Sequence, residues 1–300
     1  MEPAVLECVP NVSEGRDPRV VERLAEAIRS IPGARLADVH VDPDHHRSVF
    51  SFLGSPAAVE SAALALADVA LAAIDMRAHR GVHPRIGALD VLPFIPLRAI
   101  PMGEVVSIAR RLGSVLGERF DLPVYFYGEA ATTLARRRLA RIRRGGYDGL
   151  ARKLADPAWR PDAGPAHFNA RSGATAVGAR EVLVAFNVWL ESRDLRVARA
   201  IARAIRESSG GLPGLEAMGV SLARQGVAQV SMNLLDPART SIPRVFDLVR
   251  GEAERRGLAV TRSELVGLVP LRAFEGRSPE SVGLYDFTQE KLLETHLPRD

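Results

Sequence analysis

Cysteine is almost missing from this sequence: Cys8 is the only one in 300 residues. A single thiol excludes a disulfide framework and a cysteine-rich zinc module. Lysine is nearly absent as well. Of 40 basic residues only Lys153 and Lys291 are lysine, which leaves 38 arginines. Asparagine occurs four times and glutamine three times. A bias this broad reads as genomic or thermal, since both amides are thermolabile. It makes each surviving asparagine (Asn11, Asn169, Asn187, Asn233) a better functional candidate than usual. Aromatics make up 5%, poor material for stacking bases, and the basic-Gly-aromatic signature of RNA-reading sheets is absent. Neither common glycine-rich phosphate motif is present. The most apolar stretch, 57–74, is broken by Glu60 and Asp68 and reads as an Ala-rich buried helix, not a membrane span. The N-terminus has no basic or apolar leader pattern, so a signal peptide is not expected and a cytoplasmic location is. What remains is ordinary globular composition, 47% hydrophobic and 25% charged with net charge +4.

The periodicity predicts a short strand over 6–10, then a helix over 17–31 with Asp17 as N-cap and Pro18 at its first position. Strands follow at 35–41 and 48–53, joined by the turn signal Asp42-Pro43-Asp44. A helix over 56–74 and a strand over 88–97 complete the half. Pro93 and Pro96 suggest that this last strand lies at an edge or ends there. The order βαββαβ is the ferredoxin-like motif. It repeats as strand 181–189, helix 195–206, strands 217–222 and 227–234, helix 245–256 and strand 258–264. Between the halves come a helix (104–116), a strand (123–127), an Arg-rich helix and a loop over 156–172. The expected class is α+β, with two ferredoxin-like subdomains each leaving one sheet face for a partner or ligand.

The densest chemistry lies in Met76-Arg77-Ala78-His79-Arg80-Gly81-Val82-His83-Pro84-Arg85-Ile86-Gly87-Ala88-Leu89-Asp90. His83 precedes proline and should be extended. A loop histidine on a rigid scaffold is suited to proton transfer near neutral pH, although an inert surface histidine fits the same pattern. His79 and His83, with His40, His45 and His46, raise a metal site; nothing fixes ligand geometry, and no metal is expected. Cys8 reads as a buried, inert thiol. Arg136, Arg137, Arg138, Arg141, Arg143 and Arg144 read as a solvated helix face, with anion or nucleic-acid attraction as the sharper alternative. The loop 164–173 is either a binding loop or a linker.

Several segments resemble the glutamate formimidoyltransferase family. They are Glu7-Cys8-Val9-Pro10-Asn11-Val12-Ser13-Glu14-Gly15, the segment His83 to Pro96, Val124-Tyr125-Phe126-Tyr127-Gly128-Glu129-Ala130, the 164–173 loop, Gly178-Ala179-Arg180 with Ala185-Phe186-Asn187, Asn233-Leu234-Leu235-Asp236 and Leu265-Val266-Gly267-Leu268-Val269-Pro270. They run in order along the chain. The resemblance implies a monofunctional one-carbon transferase of histidine catabolism. It would move the formimino group of N-formimino-L-glutamate to N5 of tetrahydrofolate, its co-substrate. It also implies a homodimer whose two ferredoxin-like subdomains hold folate between them. The expected divisions are an N-terminal subdomain (1–178), a C-terminal subdomain (179–272) and a tail (273–300) that does not match. The chain is too short to include the cyclodeaminase domain of bifunctional relatives, so that activity is expected on a separate protein or not at all.

The same resemblance assigns the catalytic role to His83. It assigns folate binding to Gly164, Pro165, Ala166, His167, Phe168, Asn169, Ala170, Arg171, Ser172 and Gly173. At His40 animal members carry an acidic residue beside the catalytic histidine, so support for His83 falls to His40, to Asp42 or to nothing. Asp90 or Asp42 is a candidate to orient the imidazole. Arg85, Arg171 and Arg180 are candidates for substrate carboxylates, and Asn11, Glu129 and Asn169 for the pterin edge. Formyl transfer from 5-formyltetrahydrofolate is the nearest alternative. A non-catalytic folate or nucleic-acid module and a His-cluster metallohydrolase are the others. Neither nucleic acid nor membrane is the expected partner.

Overall fold

The computed structural model describes residues 2–297, and the chain divides into two compact units after Arg180. In the first unit β1 (Val5–Cys8) and β2 (Asn11–Val12) are one strand interrupted at Val9-Pro10. They lead to α1 (Pro18–Arg29), β3 (Ala34–Asp42), β4 (Arg47–Gly54), α2 (Pro56–Ala73) and β5 (Leu89–Arg98). Antiparallel pairing gives the order β3, β4, β1 with β2, β5, which is the ferredoxin-like arrangement. Asp17 caps α1 by accepting from the Arg19 N–H, and Ser55 caps α2 through the Ala58 N–H.

This unit is then extended. From β5 the chain runs through α3 (Met102–Phe120) to β6 (Val124–Gly128), and later inserts β7 (Thr175–Ala179) between β5 and β6, parallel to both. β7 went unread in the sequence because Thr-Ala-Val-Gly-Ala has no hydrophobic run. Its small residues are a packing requirement: a side chain at Gly178 would collide with the Tyr127 ring of β6. β5 is therefore a central strand, which corrects the edge expected from its prolines. Pro93 is tolerated because it faces the β1–β2 interruption, where the Val9 N–H donates to its carbonyl at 3.3 Å, and Pro96 lies two residues from the strand end. One sheet face is covered by α1, α2 and α3 over a core that includes Leu24, Phe50, Phe52, Leu66 and Phe94. By length and composition α2 could cross a membrane, but its Ala62, Ala63, Leu66 and Ala70 face is packed into this core.

The Arg-rich segment is not the continuous helix expected. It is a 3-10 turn, then the short α4 (Leu139–Ile142) and α5 (Leu150–Leu154). Nor is it wholly a solvated face. Arg136 turns inward to Asp162 at 2.6 Å, and Arg143 turns inward to Asp90. Glycines at 145, 146 and 149 make a long helix costly here. With Trp159, the segment covers the other sheet face, packing Ile142 into a cluster with Tyr125 and Tyr127.

The second unit contains β8 (Val184–Leu190), α6 (Leu195–Ile205), β9 (Leu215–Leu222), β10 (Val227–Leu234), α7 (Ile242–Glu254) and β11 (Val260–Val266). Its strand order β11, β8, β10, β9 is again ferredoxin-like. Ala273, Phe274, Val282 and Leu284 join the core under α7, so residues 273–297 pack within this unit. Residues 298–300 of the expected tail lie outside the described ones.

Gly117 of α3 lets Gly164, where φ is +72°, approach closely: a Cβ at Gly117 would sit 2.6 Å from the Gly164 nitrogen. We expect Gly117→Ala to destabilise the protein by ~2 kcal/mol through overpacking. Gly103→Ala on the same helix, with nothing within 4 Å of its Cβ, should be neutral or stabilise by up to ~1 kcal/mol. Urea unfolding of the pair checks this, and equal shifts would refute the packing account.

Candidate active site

His83 follows α2 on the segment that enters β5. Its Nδ1 lies 2.8 Å from the Pro84 carbonyl, which can only accept, so Nδ1 carries the proton. Nε2 lies 2.8 Å from Nη1 of Arg47, which can only donate. The ring is thus neutral, with its lone pair on Nε2. Burial, then the positive charge of Arg47, Arg143 and His45, hold its pKa well below the ordinary imidazole value.

Pairing of β2 with β4 brings Asn11 to Arg47: Asn11 Oδ1 accepts from the same Nη1 at 3.1 Å, while its Nδ2 donates to the Val9 carbonyl. His45, in the β3–β4 turn, packs beside His83 with ring centroids 5.6 Å apart. Its Nδ1 bonds to Asp42, and its N–H donates to Asp42 Oδ1 at 2.8 Å. Burial raises the Asp42 pKa, but the bonds to His45 outweigh it and bring the pKa to about 2. Asp42 therefore reaches the neighbourhood of His83 through His45. His40 adds to the positive field on Asp42.

Asp90 does not contact His83. Its Oδ1 accepts from the Ile86 N–H at 2.8 Å, and its Oδ2 takes Nε of Arg143 at 3.0 Å together with Nη2. It anchors the segment that carries His83. Behind it, His79 stacks on His46 at 4.2 Å. Its Nε2 donates to the His46 carbonyl at 2.8 Å, and its Nδ1 accepts from Arg85 Nε at 3.1 Å. Burial pushes the His79 pKa down to about 4. Glu14 accepts from the N–H groups of Gly15, Arg16 and Asp17 and from His46. Burial opposes its ionisation, yet these bonds hold its pKa at about 2.

The 164–173 loop meets the His83 segment at one end. Ser172 accepts from the Ala88 N–H at 2.9 Å, and Gly173 pairs with Gly87. Its other residues are engaged locally. His167 bonds Asp121 at 2.7 Å, Asn169 donates to the Asp121 carbonyl, Tyr147 donates to the Ala170 carbonyl, and Phe168 packs on Tyr147. Arg171 donates to the Ala72 carbonyl at 2.6 Å. Of the remaining candidates, Arg85 serves His79, Glu129 pairs with Arg137, and Arg180 lies near buried Glu7 and Tyr127. Burial raises the Glu7 pKa to about 7, with Arg180 acting against it. In the second unit Asn187 donates to Glu264 at 3.2 Å, and Asn233 lies opposite Ala185 and Glu216. Among the described residues, no group of three His, Cys, Asp or Glu is placed to hold a metal ion. Sequence reasoning missed Arg47 and Glu7, and read Arg143 only as part of the Arg run. Arg47 directly follows the imidazoles His45 and His46, the one local cue to it.

Two ferredoxin-like units, one of them holding a neutral histidine set among arginines, define an α+β protein. Residues 5–180 match the formiminotransferase domain, N-terminal subdomain, and residues 185–278 match the formiminotransferase domain. The chain is 39% identical to a glutamate formimidoyltransferase of Streptococcus pyogenes serotype M1, over 98% of each chain. It is 40% identical to one of Thermoplasma acidophilum, over 99% of this chain and 98% of that one. It is 44% identical to the formimidoyltransferase-cyclodeaminase of Rattus norvegicus, over 90% of this chain and 51% of that protein. The chain belongs to the formiminotransferase family.

Because His79 is depressed to about 4, the unfolded chain binds its proton first as pH falls, so stability drops between about pH 6.5 and 4. From pH 7 to pH 5 His79 alone should cost about 2 kcal/mol, and His83 acts in the same direction. His79→Gln should flatten the pH dependence by about that amount in urea unfolding at the two pH values. An unchanged slope would refute the assignment.

Proposed function

We propose that this protein is a glutamate formimidoyltransferase. It moves the formimino group of N-formimino-L-glutamate to N5 of tetrahydrofolate, giving 5-formiminotetrahydrofolate and L-glutamate. The observation that carries the reading is the His83 tautomer, a neutral ring whose only basic lone pair lies on Nε2. The names of the similar full-length proteins support the substrate pair.

N5 attacks the formimino carbon, forming a C–N bond. The proton lost from N5 goes to Nε2 of His83. The bond from that carbon to the glutamate nitrogen then breaks, and the imidazolium returns the proton to that nitrogen. Atoms and charge balance with one histidine acting as base and then acid. The depressed pKa keeps the ring in its base form throughout the neutral range and makes the imidazolium a strong acid for the second step. The 164–173 loop, stitched to the same segment at Ala88, is the proposed folate contact. A homodimer accompanies the reading, supported by the family resemblance alone, and so does a cytoplasmic site of action, suggested by the lone cysteine.

The test mixes purified protein, tetrahydrofolate and N-formimino-L-glutamate and follows free glutamate. His83→Ala should lower kcat by at least ~100-fold while tetrahydrofolate still binds by calorimetry. The loss of wild-type activity on acidification should occur below the ordinary imidazole pKa of about 6.5. Turnover within tenfold of wild type would overturn the role of His83. Folate binding without glutamate release would redirect the reading to formyl transfer.

A further inference from the structure

In this structure the lone pair that must take the proton is already engaged. Nδ1 of His83 donates to the Pro84 carbonyl, so Nε2 holds the only lone pair available to a proton, and Arg47 Nη1 donates into it at 2.8 Å. A guanidinium does not give up its proton in a protein. While this bond stands, His83 cannot act as a base. We propose that Arg47 is the receptor for the α-carboxylate of the glutamyl donor, and that binding this carboxylate draws Nη1 away from His83 and uncaps the base. The proposal rests on the reading of His83 as the base of formimino transfer.

Three observations support it. A carboxylate is the stronger competitor, because guanidinium–carboxylate hydrogen bonds are about twice as strong as bonds to a neutral acceptor and can form in pairs. The place is also right. The α-carboxylate of a glutamyl donor sits on the carbon next to the departing nitrogen, so it arrives where His83 must deliver its proton, within reach of a group 2.8 Å from Nε2. Finally, the site does not collapse when the bond is exchanged. His83 stays held by Pro84 and packed against His45, while Asn11 Oδ1, fixed by the bond from its own Nδ2 to Val9, still accepts from Arg47. The charged and titratable groups that face the ring are Arg47, Arg143 and His45. Countering the Arg47 charge with a carboxylate removes the largest charge that depresses the ring, so His83 becomes more basic when the donor arrives.

Kinetics and NMR test this on the full chain. Arg47→Gln should raise KM for N-formimino-L-glutamate by ~10–100-fold, the range for a lost hydrogen bond to a charged group, with KM for tetrahydrofolate little changed. Wild-type protein should discriminate by a similar factor against N-formimino-4-aminobutyrate, which lacks the α-carboxylate, and Arg47→Gln should not. A merely structural Arg47 would shift both donors alike. That outcome, or no wild-type discrimination between the donors, overturns the proposal. The second arm needs no turnover. The His83 ring signal, assigned by its loss in His83→Ala, should titrate ~1 unit higher in the presence of saturating L-glutamate, and L-glutamate should cause no shift in Arg47→Gln. A wild-type signal that L-glutamate leaves unmoved overturns the uncapping. If glutamate release fails but this shift appears, the reaction is misread and the carboxylate receptor stands.

Discussion

The hydrogen bond from Nδ1 of His83 to the Pro84 carbonyl decides what the rest of the site can be. It fixes the tautomer and with it the location of the lone pair. Several bonds hold the segment on which it forms. Ile86 is tied to Asp90, Asp90 to Arg143, the Ala88 N–H to Ser172, and the Tyr147 N–H to the Arg85 carbonyl. Each bond holds the short stretch between α2 and β5, which has no regular structure of its own. The 164–173 loop is therefore both a neighbour of the His83 segment and part of its support.

A second constraint is desolvation. Burial disfavours the charged imidazole, and the surrounding cations add to the effect. The carboxylates nearby are committed elsewhere: Asp42 to His45, Asp90 to Arg143 and Glu14 to His46 and backbone N–H groups. None of these three bonds His83 directly. A base held neutral this way differs from one supported by a directly bonded carboxylate, which would raise its pKa.

The regular elements were largely legible in the sequence, because helices and strands bury one face and leave a period. The repeated βαββαβ order followed from that period alone. β7 was hidden because a strand between β5 and β6 had to be built of small residues under Tyr127. The central position of β5 was hidden because Pro93 sits opposite a break in another strand. In the site, His83 stood out as a loop histidine before proline in a dense polar segment. Arg47 lies 36 residues away and is brought to it by strand pairing and the turn geometry. Arg143 reaches Asp90 across 53 residues. Neither contact leaves a local pattern, and in a chain rich in arginine no single arginine is conspicuous.

That arginine excess has a consequence at the site. Lys153, one of the two lysines, shows what an ammonium does here: burial, then Arg144, lowers its pKa to about 8, so it is able to shed its charge. A guanidinium cannot relax in that way. Arg47 and Arg143 stay charged whatever the local cost, so the strain of packing cations together must be relieved by an imidazole. His45 has the carboxylate of Asp42 as a ring partner, whereas His83 faces a carbonyl and a guanidinium. The surrounding charges, added to burial, hold the His83 ring neutral. The positive field that makes it a poor ion leaves its lone pair unprotonated, which is what the proposed role as a base requires.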